Sequence, residues 1–456
     1  MLPGNQYKVM LKKIFTISCF SLIIFSCTKA PVGIKEKKLA PEDYIFKFPS
    51  GELKAGVGSV EITPSRPQYL AGFGFGRKST GIHDPIYARA VVLEKGGERL
   101  ALVSLDVLGI QRHHLLEDYF PKIQGIDSRR IIITCTHNHS APDTMGFWGR
   151  IPGMDGRDPE WIEELTQKVA EAVKGALSDL EPVELVLGKG EVAERGVVRN
   201  IREPKLVDRE LGVVGIYPLG SEEPKAILVN FAMHAETLWE DNKEITADWP
   251  GYMRRYLEKW SGAKLAIFFN GALGAMVTVD NQLDEQGREV HDFKEAERVG
   301  RAVAETALKA LYSGARLSSP EMIFAKRIFY LPVENPLYNL FAHTPKITRK
   351  FYWGNFQTEL NYLRLGDWEL LTVPGEAYPK LGFSLKDKLS ARYKWIVGLA
   401  NDELGYLLYP GDYYNPLYSY EVSVSFSPHY GGALLDLNAG NLLLAVKKAS
   451  LSKSSK

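Results

Sequence analysis

The chain has 456 residues, with 56 Lys and Arg against 55 Asp and Glu, so its formal net charge is +1. This balance argues against a nucleic-acid-binding protein, because phosphate binding needs a surplus of basic side chains. Hydrophobic residues make up 45% of the chain, enough for a large globular core, and three cysteines cannot form a disulfide framework.

The N-terminus predicts export. Lys12 and Lys13 precede an apolar run over residues 14–25, which is shorter than the roughly 20 residues that span a bilayer and is typical of a secretory signal. Ser26-Cys27 resembles a bacterial lipobox, in which Cys27 becomes the lipidated first residue; an ordinary signal peptide cut nearby is the alternative. We expect an exported lipoprotein, anchored to a membrane through Cys27 at the periplasmic or outer-membrane face.

The sequence after the leader divides into three parts. Residues 28–46 contain several lysines and are predicted to form a solvated tether. Residues 47–450 show no internal repeat or composition break and are predicted to form one domain. Residues 451–456 are a Ser- and Lys-rich polar tail.

Hydrophobic periodicity predicts an α/β domain in which apolar strands alternate with two clear helices. Asp158 is the predicted N-cap of the first helix, with Pro159 at its first position. The second helix is predicted over residues 293–312. The predicted strands are residues 100–105, 131–136, 226–232, 265–269, 370–373 and 395–399.

Candidate metal ligands follow these strands directly. His137 and His139 come after residues 131–136, and side chains two apart in an extended segment point the same way. His234 and Glu376 each follow another strand. Histidine and carboxylate groups are common zinc ligands, although each of these residues taken alone is equally well explained as a structural side chain. Asp84, Asp106 and Asp248 are candidates to orient the histidines, or to serve only as structural hydrogen-bonding groups.

A set of short motifs occurs in a fixed order along residues 54–428. The motifs are Ala55-Gly56-Val57-Gly58, Glu61-Ile62-Thr63-Pro64, Gly81-Ile82-His83-Asp84, Ala88-Arg89-Ala90, Ser104-Leu105-Asp106, Thr136-His137-Asn138-His139-Ser140-Ala141-Pro142, Phe231-Ala232-Met233-His234, Asp248-Trp249-Pro250-Gly251-Tyr252, Val373-Pro374-Gly375-Glu376 and Gly398-Leu399-Ala400-Asn401. This ordered set resembles the N-terminal catalytic domain of the neutral/alkaline non-lysosomal ceramidases. We expect no C-terminal immunoglobulin-like domain of the kind that full-length members carry.

The resemblance implies a fold of mixed β-sheets covered by helices and a zinc-dependent amidohydrolase. Its substrate would be ceramide or a related lipid-like N-acyl amphiphile, cleaved at the N-acyl amide bond by metal-activated water. The implied zinc ligands are His137, His234, Glu376 and Tyr406. The implied catalytic residues are His139, which faces the substrate and the oxyanion, Tyr420, which polarises the scissile carbonyl, and Arg202, which holds the substrate head, with Arg199 as the alternative.

The sequence departs from the family pattern at one point. The family carries Gly-Asp-x-Ser-Pro, whereas this chain has Ala275 in place of the Asp and Val277 in place of the Ser, with Thr278 one step away. A mechanism that needs the serine is therefore in doubt, while one that uses metal-activated water is not. Two alternatives follow: a zinc esterase with another substrate, and a catalytically impaired binding lipoprotein.

Overall fold

The computed structural model describes residues 39–193, 195–341 and 349–451. The predicted signal peptide, the lipobox at Cys27 and all but one residue of the polar tail therefore lie outside the described residues. That one residue, Leu451, ends a helix. No helix among the described residues is both long enough and apolar enough to cross a membrane.

Two mixed β-sheets form the centre of the molecule. The larger sheet has nine strands, in the spatial order β12 (Leu265–Asn270), β10 (Ala226–Phe231), β9 (Glu210–Pro218), β7 (Glu181–Glu191), β2 (Leu53–Glu61), β4 (Tyr87–Lys95), β5 (Glu98–Leu105) and β6 (Ile131–Cys135), with β14 (Ala315–Leu317) paired to β7. The β10–β12 and β5–β6 pairs are parallel, and the other pairs are antiparallel.

The smaller sheet has six strands, in the order β1 (Glu42–Lys47), β15 (Met322–Pro332), β17 (Asn355–Leu365), β18 (Trp368–Thr372) and β20 (Tyr393–Val397), with β16 (Phe351–Tyr352) paired to β17. Its β18–β20 pair is parallel. All six strands predicted from apolar runs are present, as β5, β6, β10, β12, β18 and β20. The expectation of mixed sheets is confirmed.

The two sheets pack face to face, and helices cover their outer faces. Alternate residues of one strand enter different cores: in β5, Leu100 and Leu102 lie between the sheets, while Ala101 and Val103 face a helix. A strand buried on both faces needs a continuous apolar run rather than an alternating one. The apolar runs of this sequence therefore predict strands, but they do not predict which strands pair with each other in a sheet.

The helices are α1 (Arg112–His114), α2 (Pro159–Ser178), α3 (Asp248–Ser261), α4 (Phe293–Tyr312), α5 (Pro336–Phe341), α6 (Pro379–Lys388), α7 (Ser419–Val424) and α8 (Gly431–Leu451). Helix α2 packs on the outer face of β2 and β4, and α3 and α4 pack on each other and on the other half of the same sheet. Asp158 caps α2 as predicted, because its side chain accepts from the backbone N–H groups of Glu160 and Trp161.

The predicted tether is wrong for residues 42–46. They form most of β1, which pairs along its whole length with β15 from Glu42↔Ile328 to Lys47↔Ile323. Tyr44 and Phe46 pack against the core between the sheets. These alternating aromatic side chains supply the apolar contact that a free tether lacks.

Three two-stranded ladders lie outside the main sheets: β3 (Gly81–Ile82) with β11 (Glu244–Ile245), β8 (Val198–Asn200) with β13 (Val277–Val279), and β19 (Glu376–Ala377) with β21 (Tyr406–Leu407). The last two contain or adjoin residues predicted to form the site.

Candidate metal centre

Two segments that leave strands near opposite ends of the large sheet's strand order run side by side. The chain continues from β6 into His137-Asn138-His139 and from β10 into His234-Ala235-Glu236. Asn138 pairs with Ala235 in a parallel bridge, and the backbone N–H of His139 donates to the Ala235 carbonyl at 3.0 Å. The flanking residues of both segments therefore project into the same region.

Backbone carbonyls orient two of the histidines. The Nδ1–H of His137 donates to the Leu108 carbonyl at 3.0 Å, and the Nδ1–H of His234 donates to the Val277 carbonyl at 2.8 Å. Each bond selects the tautomer whose Nε2 carries a free lone pair, which is the form that binds a metal ion.

The three aspartates predicted as candidates for this orienting role bond to other groups. Asp106 forms a buried two-bond ion pair with Arg254, and Asp84 accepts from Thr246 and from the Ala247 backbone. Asp248 accepts from the backbone N–H of Trp249, whose indole Nε1–H in turn donates to the His234 carbonyl. These three residues support the surrounding loops rather than the rings of His137 and His234.

Glu376 joins the two histidines. Its Oε2 lies 3.1 Å from His234 Nε2 and 3.6 Å from His137 Nε2. The turn before it needs glycine, because a Cβ on Gly375 would lie 2.6 Å from the Gly405 carbonyl oxygen. Glu376 is buried, and its Oε2 has no well-aligned hydrogen-bond partner among the described residues.

Tyr406 is brought to Glu376 by the small ladder of β19 and β21, in which the two residues pair directly. Its hydroxyl lies 3.5 Å from the Met276 sulfur. Burial, followed by the charge of Glu376, raises the pKa of Tyr406 well above its ordinary value. The structure therefore places Tyr406 beside Glu376, which lies next to His137 and His234.

His139 is packed tightly beside this group. A Cβ on Gly72, whose φ is +95°, would lie 2.3 Å from His139 Nδ1, and Phe73 contacts the ring edge-on at 4.7 Å between centroids. Gly72, in the glycine-containing loop at residues 72–76, thus allows close approach of the backbone to the His139 ring. One nitrogen each of His137, His139 and His234 lie within 4.8 Å of one another, so His139 is close enough to be an alternative metal ligand.

Tyr420 and Arg202 lie at the edge of the site. Tyr420 contacts Tyr406 at 6.3 Å between ring centroids, and burial and Glu376 raise its pKa to about 12. Arg202 forms an ion pair with the buried Glu421 at 2.7 Å. The alternative residue, Arg199, pairs instead with Glu289 at 2.7 Å.

Two buried carboxylates near the histidines were missed in the sequence. Glu236 lies 3.4 Å from His139, measured from Oε2 to Nδ1. Burial, followed by the charge of Glu376, raises the pKa of Glu403 well above its ordinary value. Glu236 stands two residues after His234, so the reasoning that paired His137 with His139 would have found it. The signal for Glu403 in the sequence is its position between the motif that ends at Asn401 and the implied ligand Tyr406.

The segment that departs from the family pattern contributes through its backbone. Ala275 and Met276 have positive φ angles of 59° and 55°. Ala275 packs against Tyr378 and Tyr406, while Val277 belongs to the apolar cluster under α3 and α4. The Val277 carbonyl orients His234, and the Thr278 side chain hydrogen-bonds to Glu236. The hydroxyl that faces the site in this segment is therefore that of Thr278.

These residues fit a divalent metal ion. Nε2 of His137 and Nε2 of His234 converge on one carboxylate oxygen of Glu376, with the phenol of Tyr406 beside it. Burial raises the pKa of both Glu376 and Tyr406, and it does so because their charged forms lack solvation. A bound dication would supply that missing stabilisation.

The fold and the site together define an α/β protein with a buried histidine–carboxylate centre that can hold a metal ion. The model of the family "Neutral/alkaline non-lysosomal ceramidase, N-terminal" matches residues 53–285, slightly more than half of the chain. The chain therefore belongs to the neutral/alkaline non-lysosomal ceramidase family, as the motifs indicated.

Solved structures show the same fold. The neutral ceramidase from Pseudomonas aeruginosa superposes with a TM-score of 0.72 at 18% identity, covering 88% of this chain and 75% of that one. A ceramidase complexed with C2 gives a TM-score of 0.72 at 16% identity, with 88% and 76% covered. No curated protein sequence matches the chain. Family and fold support a hydrolase of the ceramide type.

Proposed function

We propose that the protein is a zinc-dependent amidohydrolase that cleaves the N-acyl amide bond of ceramide or a related N-acyl amphiphile. The observation that carries this proposal is the convergence of His137 and His234 on Glu376 Oε2, at 3.6 and 3.1 Å, inside a ceramidase-family fold. A pure binding protein has no need for so costly a cluster of buried polar groups.

Zinc suits this set of donors, since imidazole nitrogens with carboxylate and phenol oxygens match its preference for N and O ligands. His137, His234, Glu376 and Tyr406 would hold it. Zinc would supply Lewis-acid chemistry. It would polarise the carbonyl and lower the pKa of water, so that water loses a proton and becomes a nucleophile at neutral pH.

The remaining side chains of the site bind and orient the amide. Tyr420 keeps its proton at neutral pH, because its pKa is raised to about 12, so it can donate a hydrogen bond to the scissile carbonyl oxygen. His139 faces the same amide. Arg202, which pairs with Glu421, would contact the polar head of the substrate.

We propose that the acyl chain of the substrate lies against an aromatic cluster next to Tyr420. Tyr338 stacks on Phe426 at 3.9 Å between centroids, and Phe147 contacts both rings. Burial, followed by the nearby Tyr420 hydroxyl, raises the pKa of Tyr338 above its ordinary value, so Tyr338 lies close to Tyr420. Ligand pockets for apolar molecules combine such surfaces with a few placed polar groups.

The experiment is direct hydrolysis. Purified protein is incubated with ceramide, after chelation and again after zinc is restored, and released fatty acid is measured. We expect activity that disappears on chelation and returns with zinc. Zinc-loaded protein that is inert on ceramide but cleaves short acyl esters would favour the esterase alternative.

The impaired-binder alternative has one observation in its favour. Ala275 is fully buried against Tyr378 and Tyr406 and carries no polar group at the position of the family's aspartate. Zinc-loaded protein that binds ceramide but cleaves neither amides nor esters would favour this alternative over hydrolysis.

We also propose that the protein acts outside the cytoplasm, anchored by lipid on Cys27. This rests on the leader sequence alone. Cys27→Ala should leave the protein in the soluble fraction without detergent, because firm retention needs more than one acyl chain at the terminus. Unchanged membrane partitioning would exclude the lipobox and leave export by an ordinary signal peptide.

A further inference from the structure

The carboxylate of Glu236 lies on the same two adjacent segments as the histidines of the site. The bridge between Asn138 and Ala235 sets two layers side by side. The first layer is His137 with His234, both directed at Glu376. The second layer is His139 with Glu236, whose side chains approach to 3.4 Å.

The His139 ring has little freedom. Gly72 lies against Nδ1 of the ring, and Phe73 contacts the ring edge-on. Nη1 and Nη2 of Arg77 each donate to the His139 carbonyl at 3.3 Å. Neither ring nitrogen has a well-aligned hydrogen-bond partner among the described residues. A buried histidine with two unpartnered nitrogens is costly and indicates a group that completes its bonding during function.

The Glu236 carboxylate is likewise buried with incomplete hydrogen bonding. It is 2% exposed, and its Oε1 has no well-aligned hydrogen-bond partner among the described residues. The charged and polar groups around it include Glu376, His234, Thr278, His291 and Arg199, and Arg199 is already paired with Glu289. His139 is the neighbour whose ring nitrogen the carboxylate approaches and whose own bonding is incomplete.

We propose that Glu236 is a positioning residue for His139, holding the tautomer in which Nδ1–H points at the Glu236 carboxylate. This inference rests on the proposed amide hydrolysis. Nε2 of a neutral His139 then carries a lone pair toward the scissile amide, so His139 accepts a proton there while Tyr420 remains the donor to the carbonyl oxygen. Such bonds are commonly long before substrate binds and shorten in the substrate complex.

The tautomer can be read without any substrate. The chain has nine histidines, so ¹⁵N-histidine NMR of the zinc-loaded protein is tractable, with His139 assigned by the loss of its signals in His139→Asn. We expect Nδ1 to be protonated and Nε2 bare in wild type, and this preference to be lost in Glu236→Met. A bare Nδ1 in wild type, or shifts unchanged in Glu236→Met, would overturn the proposal whether or not the protein hydrolyses ceramide.

Kinetics separate positioning from metal binding. Glu236→Gln keeps an oxygen that can accept from Nδ1–H, whereas Glu236→Met does not. We expect kcat to fall by about 10–100-fold in Glu236→Met and by less in Glu236→Gln, with KM and zinc content unchanged, as is typical when an orienting partner is removed. The exposed Glu171 gives matched controls, Glu171→Gln and Glu171→Met.

Each other result counts against the proposal. Loss of zinc from Glu236→Gln would make Glu236 a metal ligand instead. Equal kcat in wild type, Glu236→Gln and Glu236→Met would show that His139 needs no such partner.

Discussion

Asn401 and Ile133 are joined by two hydrogen bonds across the edge of the two sheets. The backbone N–H of Asn401 donates to the Ile133 carbonyl at 2.8 Å, and the Ile133 N–H donates to Asn401 Oδ1 at 2.7 Å. Ile133 belongs to β6, the strand that leads to His137, and Asn401 precedes the loop that leads to Tyr406 in β21. One asparagine thus fixes the distance between two parts of the site.

Asn401→Ala should destabilise the protein and weaken metal binding together. Asn401 Nδ2 also donates to the Ile131 carbonyl and to Glu359, and its φ of 56° suits asparagine better than most residues. Leaving buried backbone groups unpaired should cost about 2–4 kcal/mol in the free energy of unfolding. Chemical denaturation and a zinc titration measure the two effects. The exposed Asn441→Ala is the control, and equal behaviour of the two variants would contradict the role given to Asn401.

The sequence made the strands and the first-layer histidines predictable, since apolar runs and strand-end polar residues are local signals. The sheet order was not predictable. The long antiparallel pairs of β7 with β9 and of β15 with β17 depend on which distant strand supplies the partner. Because both faces of these strands are buried, the alternation that would identify an exposed face is missing.

The same limit applies within the site. Tyr406 reaches Glu376 only through a two-residue ladder, which leaves no periodic signal, and its role followed from the family resemblance alone. The orienting groups of His137 and His234 are backbone carbonyls, which every residue has. Aspartates were the predicted orienting groups because a sequence distinguishes residues only by their side chains.

Glu359 should stabilise the fold in a pH-dependent way. It is buried and bonds to Lys326 at 2.6 Å and to Arg112 at 3.0 Å. Although burial raises its pKa, these two cations outweigh that effect and lower the pKa from 4.5 to about 2. A lowered pKa means that the stabilisation is fully present above pH 4.5 and is lost as the pH falls toward 2.

Glu359→Gln should therefore cost about 3–5 kcal/mol at pH 7, because it leaves two buried cations without their partner. The difference from wild type should shrink when denaturation is repeated at successively lower pH below 4.5. Exposed Glu285→Gln serves as the control. A difference that stays constant from pH 7 to pH 3 would show that the carboxylate charge is not the stabilising feature.

Gly72→Ala should reduce activity without removing the metal. The added Cβ would meet His139 Nδ1 at 2.3 Å, and the φ of +95° is unfavourable for alanine. A displacement of His139 by about 1 Å can cost on the order of a hundredfold in rate. Gly74→Ala is the matched control, since a Cβ there meets nothing within 4 Å. Wild-type rates in Gly72→Ala would show that the position of His139 does not matter.

His139→Ala should keep zinc yet lose about a hundredfold or more in rate, the usual contribution of a positioned proton-transfer group. His137→Ala and His234→Ala should each lose both the zinc and the hydrolytic activity. Zinc content and hydrolysis measured on the three variants distinguish these roles. If His139→Ala also loses zinc, the metal is held by the three histidines that lie within 4.8 Å of one another, and His139 is a ligand.

Metal analysis of the purified protein tests the central claim most directly. The geometry of His137, His234 and Glu376 predicts about one zinc per chain, by the ordinary stoichiometry of a single catalytic site. It also predicts that chelated protein takes zinc up again. Protein that contains no metal and binds no added zinc would contradict the account, and the buried histidines would then be structural.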